Sequence, residues 1–168
     1  CSSDLTISST LPHKNLKILE KIYLKNSKLN LPKNFVIAGV GGEKKIITKR
    51  KKSIIYLGKI SEREKIWLLK NCEFYLYPSL YEGLGMTLIE SLMQNKKILC
   101  SDLSVFRETI GNYPIYVKNP RNIENWKNKI KEIKKYKIKK KLISKITRNF
   151  SPKIISDQYF DIFQKMIK

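Results

Sequence analysis

The sequence predicts a doubly wound α/β domain, a parallel sheet with helices on both faces, followed by a helical C-terminal extension. Three observations predict it. Apolar runs of strand length alternate with helical patterns through most of the chain. The runs are apolar at consecutive positions, as in strands covered on both faces. Glycine and small polar residues follow them, as at the carboxyl ends of parallel strands, where ligands collect.

Leu5 to Ser8 reads as the first strand. A loop containing Pro12 follows, then a helix carrying Leu16, Leu19, Ile22 and Tyr23 at three- and four-residue spacing. Asn34 to Gly39 is the second strand and ends in Gly39-Val40-Gly41-Gly42. The basic stretch GEKKIITKRKK reads as a surface loop or a ragged hairpin; Ser53 to Leu57 is the next strand, closed by Gly58. Ser61, with Glu64 three positions on, begins a helix, because hydroxyl and carboxylate can satisfy each other's free backbone amides. Ile66, Leu68 and Leu69 are expected on its buried side. Glu73 to Tyr77 is a strand, Pro78 to Gly85 a loop, Met86 to Gln94 a helix and Lys97 to Cys100 a strand. Ser104 to Ile110 is a short helix and Ile115 to Val117 the last strand. From Asn122 onward the pattern is helical, broken near Ser151-Pro152, where Ser can cap and Pro can occupy a first turn. The whole is Rossmann-like, with no internal repeat.

The 168 residues suffice for one sizeable core, and 42% hydrophobic with 29% charged residues is a globular composition. No apolar run approaches the roughly 18 residues of a membrane span. The N-terminal CSSDLTISSTLPHKN lacks the basic and apolar order of a secretory signal. Three cysteines without metal-ligand spacing suggest reduced thiols and a cytoplasmic location, at most at the inner face of the membrane. His13 has no second ligand near it, so no metal and no cofactor are expected.

A formal charge of +21 invites a nucleic-acid reading. Most of that charge is lysine accompanied by abundant Ile and Asn, a compositional bias that needs no partner, so nucleic acid is not expected. The segment Lys127 to Lys145 could form a basic helix with Ile130, Ile133, Ile138, Leu142 and Ile146 as an apolar stripe. It would rest on anionic lipid or stand as a solvated face.

Ser8-Ser9-Thr10, Gly39 to Gly42, Gly58-Lys59, Ser79 to Gly85 and Ser101-Asp102 all follow predicted strands, so five loops should converge on one edge. The most informative segment is FYLYPSLYEGLGMTLIESLMQNKKILCSD. It combines Pro78-Ser79, Glu82-Gly83-x-Gly85 and Glu90, with seven residues between the two acids. This pattern resembles the donor-site signature of the retaining glycosyltransferases called group 1 or family 4, which have the two-domain GT-B architecture. The similarity extends to LPHKN, FVIAGVG, YLGKISEREKIWLLKNCEF and SDLSVFRETIGNYPIYV.

The resemblance implies a hexosyl transfer from a nucleoside-diphosphate sugar to a glycan or lipid-linked acceptor, with retained configuration. It implies that Glu82 faces the transferred sugar and that Lys14 adds positive charge at the diphosphate, together the catalytic pair. Glu90 resembles the ribose-binding acid, since a carboxylate can accept from two neighbouring hydroxyls. The backbone of Gly83, Leu84, Gly85 and Met86, with Thr87, would hold sugar and phosphate at a helix start whose free amides attract anions. Gly58, Lys59 and Ile60 resemble the stretch bordering the base, and Gly39 belongs to a second glycine loop of the site. PHKN resembles loops common among mannosyltransferases, so GDP-mannose is the preferred donor.

In these terms residues 1–150 are the nucleotide-sugar-binding half of a GT-B fold. Residues 151–168 are a helix packing on it or on an N-terminal half that supplies the acceptor site. Without that half the chain should bind donor but transfer no sugar. Two departures stand out. Many relatives have Gly-Arg after the first strand where this chain has Ser8-Ser9, and GLGMT replaces an aromatic-proline loop. Asp102 serves the site or merely ends its strand; Arg107 and Glu108 are expected to brace the short helix. The competing readings are a non-catalytic basic module for an anionic polymer or membrane surface, and a GT-B-like sugar-nucleotide epimerase.

Overall fold

A computed structural model describes residues 3–25, 29, 31–39, 41, 43–49 and 52–167. The elements in chain order are β1 (Ser3–Ile7), α1 (Leu16–Lys25), β2 (Asn34–Ala38), β3 (Lys45–Lys49), β4 (Lys52–Gly58), α2 (Glu62–Asn71), β5 (Phe74–Tyr77), α3 (Met86–Met93), β6 (Lys97–Ser101), α4 (Ser104–Ile110), β7 (Ile115–Val117), α5 (Ile123–Lys135), α6 (Lys140–Arg148) and α7 (Pro152–Ile167). Among the described residues they form one sheet in the order β3-β4-β2-β1-β5-β6-β7. All neighbours run parallel except β3, which is antiparallel to β4.

Alternating side chains divide the core in two. One layer joins Leu19, Ile22 and Tyr23 of α1 and Trp126, Ile130 and Ile133 of α5 to Phe35, Ile54, Phe74 and Leu99 of the sheet. The other joins Leu5, Tyr75, Ile98 and Cys100 to Leu69, Leu88, Leu92, Phe106 and Ile143 of α2, α3, α4 and α6. The helix spacing read for α1 therefore marks its buried face. The capping box of α2 is also present: Ser61 N donates to Glu64 Oε2 at 2.7 Å and Glu64 N to Ser61 Oγ at 3.3 Å.

Four features depart from the sequence reading or resolve it. The basic stretch is a hairpin, with Lys45 opposite Tyr56 and Lys49 opposite Lys52. Ile66, expected on the buried side of α2, is exposed like its neighbour Trp67; only Leu69 of that helix is buried. The expected stripe through Lys127–Lys145 is broken, because the chain leaves the helix from Tyr136 to Lys139. The Tyr136 ring meets Tyr113 edge-on, and its phenol donates to the Tyr113 carbonyl. This elbow sends Ile130 and Ile133 to one layer and Ile143 to the other, so most of the apolar stripe is spent on the core. Finally, β1 starts at Ser3 and carries Asp4 into the interior, where the Tyr23 phenol donates to Oδ2. Burial, helped by Glu73, pushes that carboxyl well above its ordinary range.

Pro152 opens α7 as expected, but no residue of this helix is buried. Tyr159, Phe160, Ile162, Phe163, Met166 and Ile167 are all exposed.

Candidate functional site

The sheet order reverses between β1 and β5. From β1 the chain turns to α1 on one face; from β5 it turns to α3 on the other. Such a switch point opens a crevice at the carboxyl ends of the strands. Here it lies between the loop after β1, with its 3-10 turn Pro12–Lys14, and the loop 78–85 after β5.

Two contacts lock these loops together. Leu80 N donates to the His13 carbonyl at 2.7 Å. Asn15 Nδ2 donates to the carbonyls of Pro78 at 3.3 Å and Pro120 at 2.9 Å. His13 is thus a backbone clamp, and Asn15, present in the PHKN stretch but given no role from sequence, is a second one.

The clamped loops bring Lys14 to Glu82. Their side chains are 14% and 11% exposed and meet at 2.5 Å. Glu82 Oε1 also accepts from the Tyr77 phenol at 2.6 Å and from Ser79 Oγ at 2.7 Å. Burial works to raise the Glu82 carboxyl, but the three donors outweigh it and hold it below the ordinary range. Burial and the adjacent carboxylate push the Tyr77 phenol up, so it stays a donor. Tyr77 lies next to the motif and Ser79 within it, yet sequence reasoning gave neither side chain a role of its own.

Glu90 lies on the second turn of α3. Its Oε1 accepts from Lys65 Nζ of α2 at 2.7 Å, and Lys65 also pairs with Glu62 at 2.7 Å. Burial lowers the affinity of Lys65 for its proton, but the two carboxylates outweigh that and its pKa is raised. Nothing in the sequence singled Lys65 out among 35 basic residues.

Between the two acids is the start of α3, capped by Gly85 with no side-chain bond. Leu88 and Ile89 donate back to the Gly85 carbonyl at 2.9 and 3.4 Å, which leaves the amides of Met86 and Thr87 to solvent or a ligand. The glycines here have different reasons. A Cβ on Gly85 would lie 2.8 Å from Phe106 Cε1, and its φ of +79° is left-handed, so the fold requires it. A Cβ on Gly83 would meet nothing within 4 Å, so the fold does not. Leu84 and Met86 are exposed. The Thr87 hydroxyl is buried and has no hydrogen-bond partner among the described residues.

Gly39 is set by contact between loops, since a Cβ there would lie 2.2 Å from the Ser8 carbonyl oxygen. Of its glycine run, Val40 and Gly42 lie outside the described residues. Gly39 N donates to the Gly58 carbonyl at 2.8 Å. Beyond Gly58, Lys59 and Ile60 line a groove of about 640 Å³ between the β3–β4 hairpin and α2, together with Ile46, Arg63 and Trp67. Neither glutamate lines it. Asp102 is engaged by Arg107 in a two-pronged ion pair at 2.6 and 2.8 Å, so Arg107 braces α4 as expected. Among the described residues no group of three or more His, Cys, Asp or Glu side chains could hold a metal ion. Cys72 and Cys100 are buried free thiols. No helix among these residues is long and apolar enough to cross a membrane.

Known proteins share this fold. The O-antigen chain mannosyltransferase RfbU of Salmonella typhimurium is 28% identical over 137 residues, covering 77% of this chain and 37% of its own length. The chain therefore spans little more than a third of that relative. A solved glycosyltransferase from Rickettsia africae superposes with a TM-score of 0.81 at 19% identity, over 99% of this chain and 48% of its own. Anabaena Alr3699/HepE, solved with UDP and glucose, gives 0.78 at 13% identity, over 97% and 48%. The family model for glycosyl transferases group 1 matches residues 5–150, from the first strand through the two glutamates to just past α6, and the chain belongs to that family.

Proposed function

We propose that this chain is the donor-binding half of a retaining hexosyltransferase that passes a sugar from a nucleoside diphosphate to a glycan or lipid-linked acceptor. The observation that carries the reading is the cradle at the start of α3. Two lysine-paired acids flank it, and it contains Gly83, a glycine the fold does not need.

In this reading the diphosphate meets the amides of Met86 and Thr87 and the Lys14 ammonium. Negative charge grows on it as the glycosidic bond breaks, and donors already aimed there stabilise that state most. Glu82 is held ionised by Lys14, Tyr77 and Ser79 and faces the transferred sugar. Glu90 takes the ribose, and the base lies towards Lys59 and Ile60. No metal or other cofactor is assigned: Lys14 and the helix start would neutralise the leaving group. Mannose is the favoured sugar, supported by PHKN and by the activity named for the Salmonella relative; UDP is the alternative nucleotide, as in the Anabaena structure.

The acceptor belongs to a second half. The exposed aromatic face of α7 fits that half as its partner, since such a patch on one helix is normally covered. A cytoplasmic location is favoured by the free thiols, and the lysines left outside by α5 and α6 would favour an anionic membrane surface nearby.

The test is calorimetric titration of the chain with UDP, GDP and their hexose conjugates, followed by Glu90→Ala. Binding that tolerates salt and is lost in Glu90→Ala supports the reading; affinity that collapses with salt and ignores Glu90 supports a basic binding module instead. Robust sugar transfer by this chain alone would overturn the assignment of the acceptor to a second half.

A further inference from the structure

The two oxygens of Glu90 have different surroundings. Oε1 accepts from Lys65 Nζ, whereas Oε2 is buried and has no partner in the protein. A buried carboxylate oxygen without a donor is costly, and the cost falls when a hydroxyl reaches it. Lys65 is itself confined, with its side chain 15% exposed and its ammonium held between Glu62 and Glu90 at 2.7 Å each. Because Glu62 is on the outer rim of α2, 83% exposed, it fixes the cation without entering the cleft.

We infer that Lys65 is a positioning residue of the donor site, holding the Glu90 carboxylate in place to accept from a hydroxyl of the donor's ribose. This rests on Glu90 taking the ribose, as proposed above. The charged and titratable groups around Glu90 are Lys65 and, through it, Glu62 from α2, with the Tyr75 phenol from β5. The helices α4 and α6 join the core around α3 through apolar Phe106 and Ile143. Without Lys65 the Glu90 carboxylate loses the ion pair that fixes it.

The test is titration of the chain with UDP and GDP, and with the 2′,3′-dideoxy analogue of whichever binds more tightly. Lys65→Met should weaken the ribonucleotide about tenfold, as expected for one charge-assisted contact. The dideoxy analogue should bind Lys65→Met and the unaltered chain alike, and Lys65→Arg should restore most of the loss. Equal weakening of both nucleotides would mean that Lys65 only supports the fold and would overturn the inference. Glu90→Gln separates the two levels. If it leaves ribonucleotide binding intact, the ribose reading itself fails; if it weakens binding while Lys65→Met does not, only the role of Lys65 fails. Should circular dichroism show Lys65→Met unfolded, Lys65→Gln is measured against the same outcomes.

Discussion

Gly83 and Gly85 lie two residues apart in one loop, and alanine at each should report a different property. At Gly85 the backbone is left-handed, with φ +79° and ψ +49°, which costs an alanine about 1–2 kcal/mol. Its Cβ would also lie 2.8 Å from Phe106 Cε1 and 3.3 Å from Leu88 Cδ1, both on side chains with no solvent exposure. Overpacking of this kind adds about 1–3 kcal/mol. Near 3 kcal/mol in total, Gly85→Ala should lower Tm by about 6–12 °C in a chain of this size. Gly83→Ala meets no atom within 4 Å, so its stability should stay within about 0.5 kcal/mol of the parent. Its new methyl group occupies open space in the loop proposed to hold the donor, and nucleotide-sugar affinity should fall at least about tenfold, the equivalent of 1.4 kcal/mol. Urea unfolding followed by circular dichroism reads the first effect and calorimetric titration the second. A Gly83→Ala variant as unstable as Gly85→Ala, or one that binds donor normally, would refute the reasoning.

Four further outcomes can be measured. Lys14→Met should cost about 2 kcal/mol at pH 7, the scale of a charged hydrogen bond removed from a partly buried acceptor. Because the folded Glu82 carboxyl is depressed, the stability it contributes is complete above its unfolded value and is lost as pH falls through the lower folded value. Parent and variant should therefore converge in acid, and a gap in urea midpoint that persists below that range would contradict this. Asp4 has the opposite sign: its carboxyl is raised by burial, so the folded state loses stability as pH rises above the unfolded value near about 3.9. Asp4→Asn should melt a few degrees higher than the parent at pH 7 and match it near pH 4; a lower melting point at pH 7 would be the wrong sign. Burial pushes the Cys72 thiol up to about 12 and Cys100 well above its ordinary value. Neither should react with iodoacetamide at pH 8 until urea is added; peptide mapping that finds either labelled in the native protein would contradict their burial. Ending the chain at Ser151 should leave Tm within about 2 °C, since α7 buries nothing here; a larger drop in a melting scan would reveal packing onto the domain.

The order of strands and helices was legible because each element is written locally. Leu16, Leu19, Ile22 and Tyr23 recur at helical spacing, Ser61 and Glu64 announce a cap, and the apolar runs of β2 and β5 have no polar face. Where the reading went astray, packing outweighed pattern. Ile66 has the right residue type for a core, yet Leu69 occupies the inward position of α2. Periodicity ran through Tyr136, but there the chain leaves the helix and the ring packs edge-on against Tyr113.

The sequence by itself determined the family signature, the cleft-bearing loops and the two acids, because these depend on residue type and spacing along one stretch of chain. Only the tertiary structure decided the partners of those acids. Lys14 reaches Glu82 across 68 positions and Lys65 reaches Glu90 across 25, through contacts that exist only once β1, β5 and α2 are packed. It also separated Gly85, which its neighbours require, from Gly83, which they do not. Charge pairing and free space depend on which distant surfaces meet, and one sequence with so many lysines leaves that choice open until the sheet is assembled.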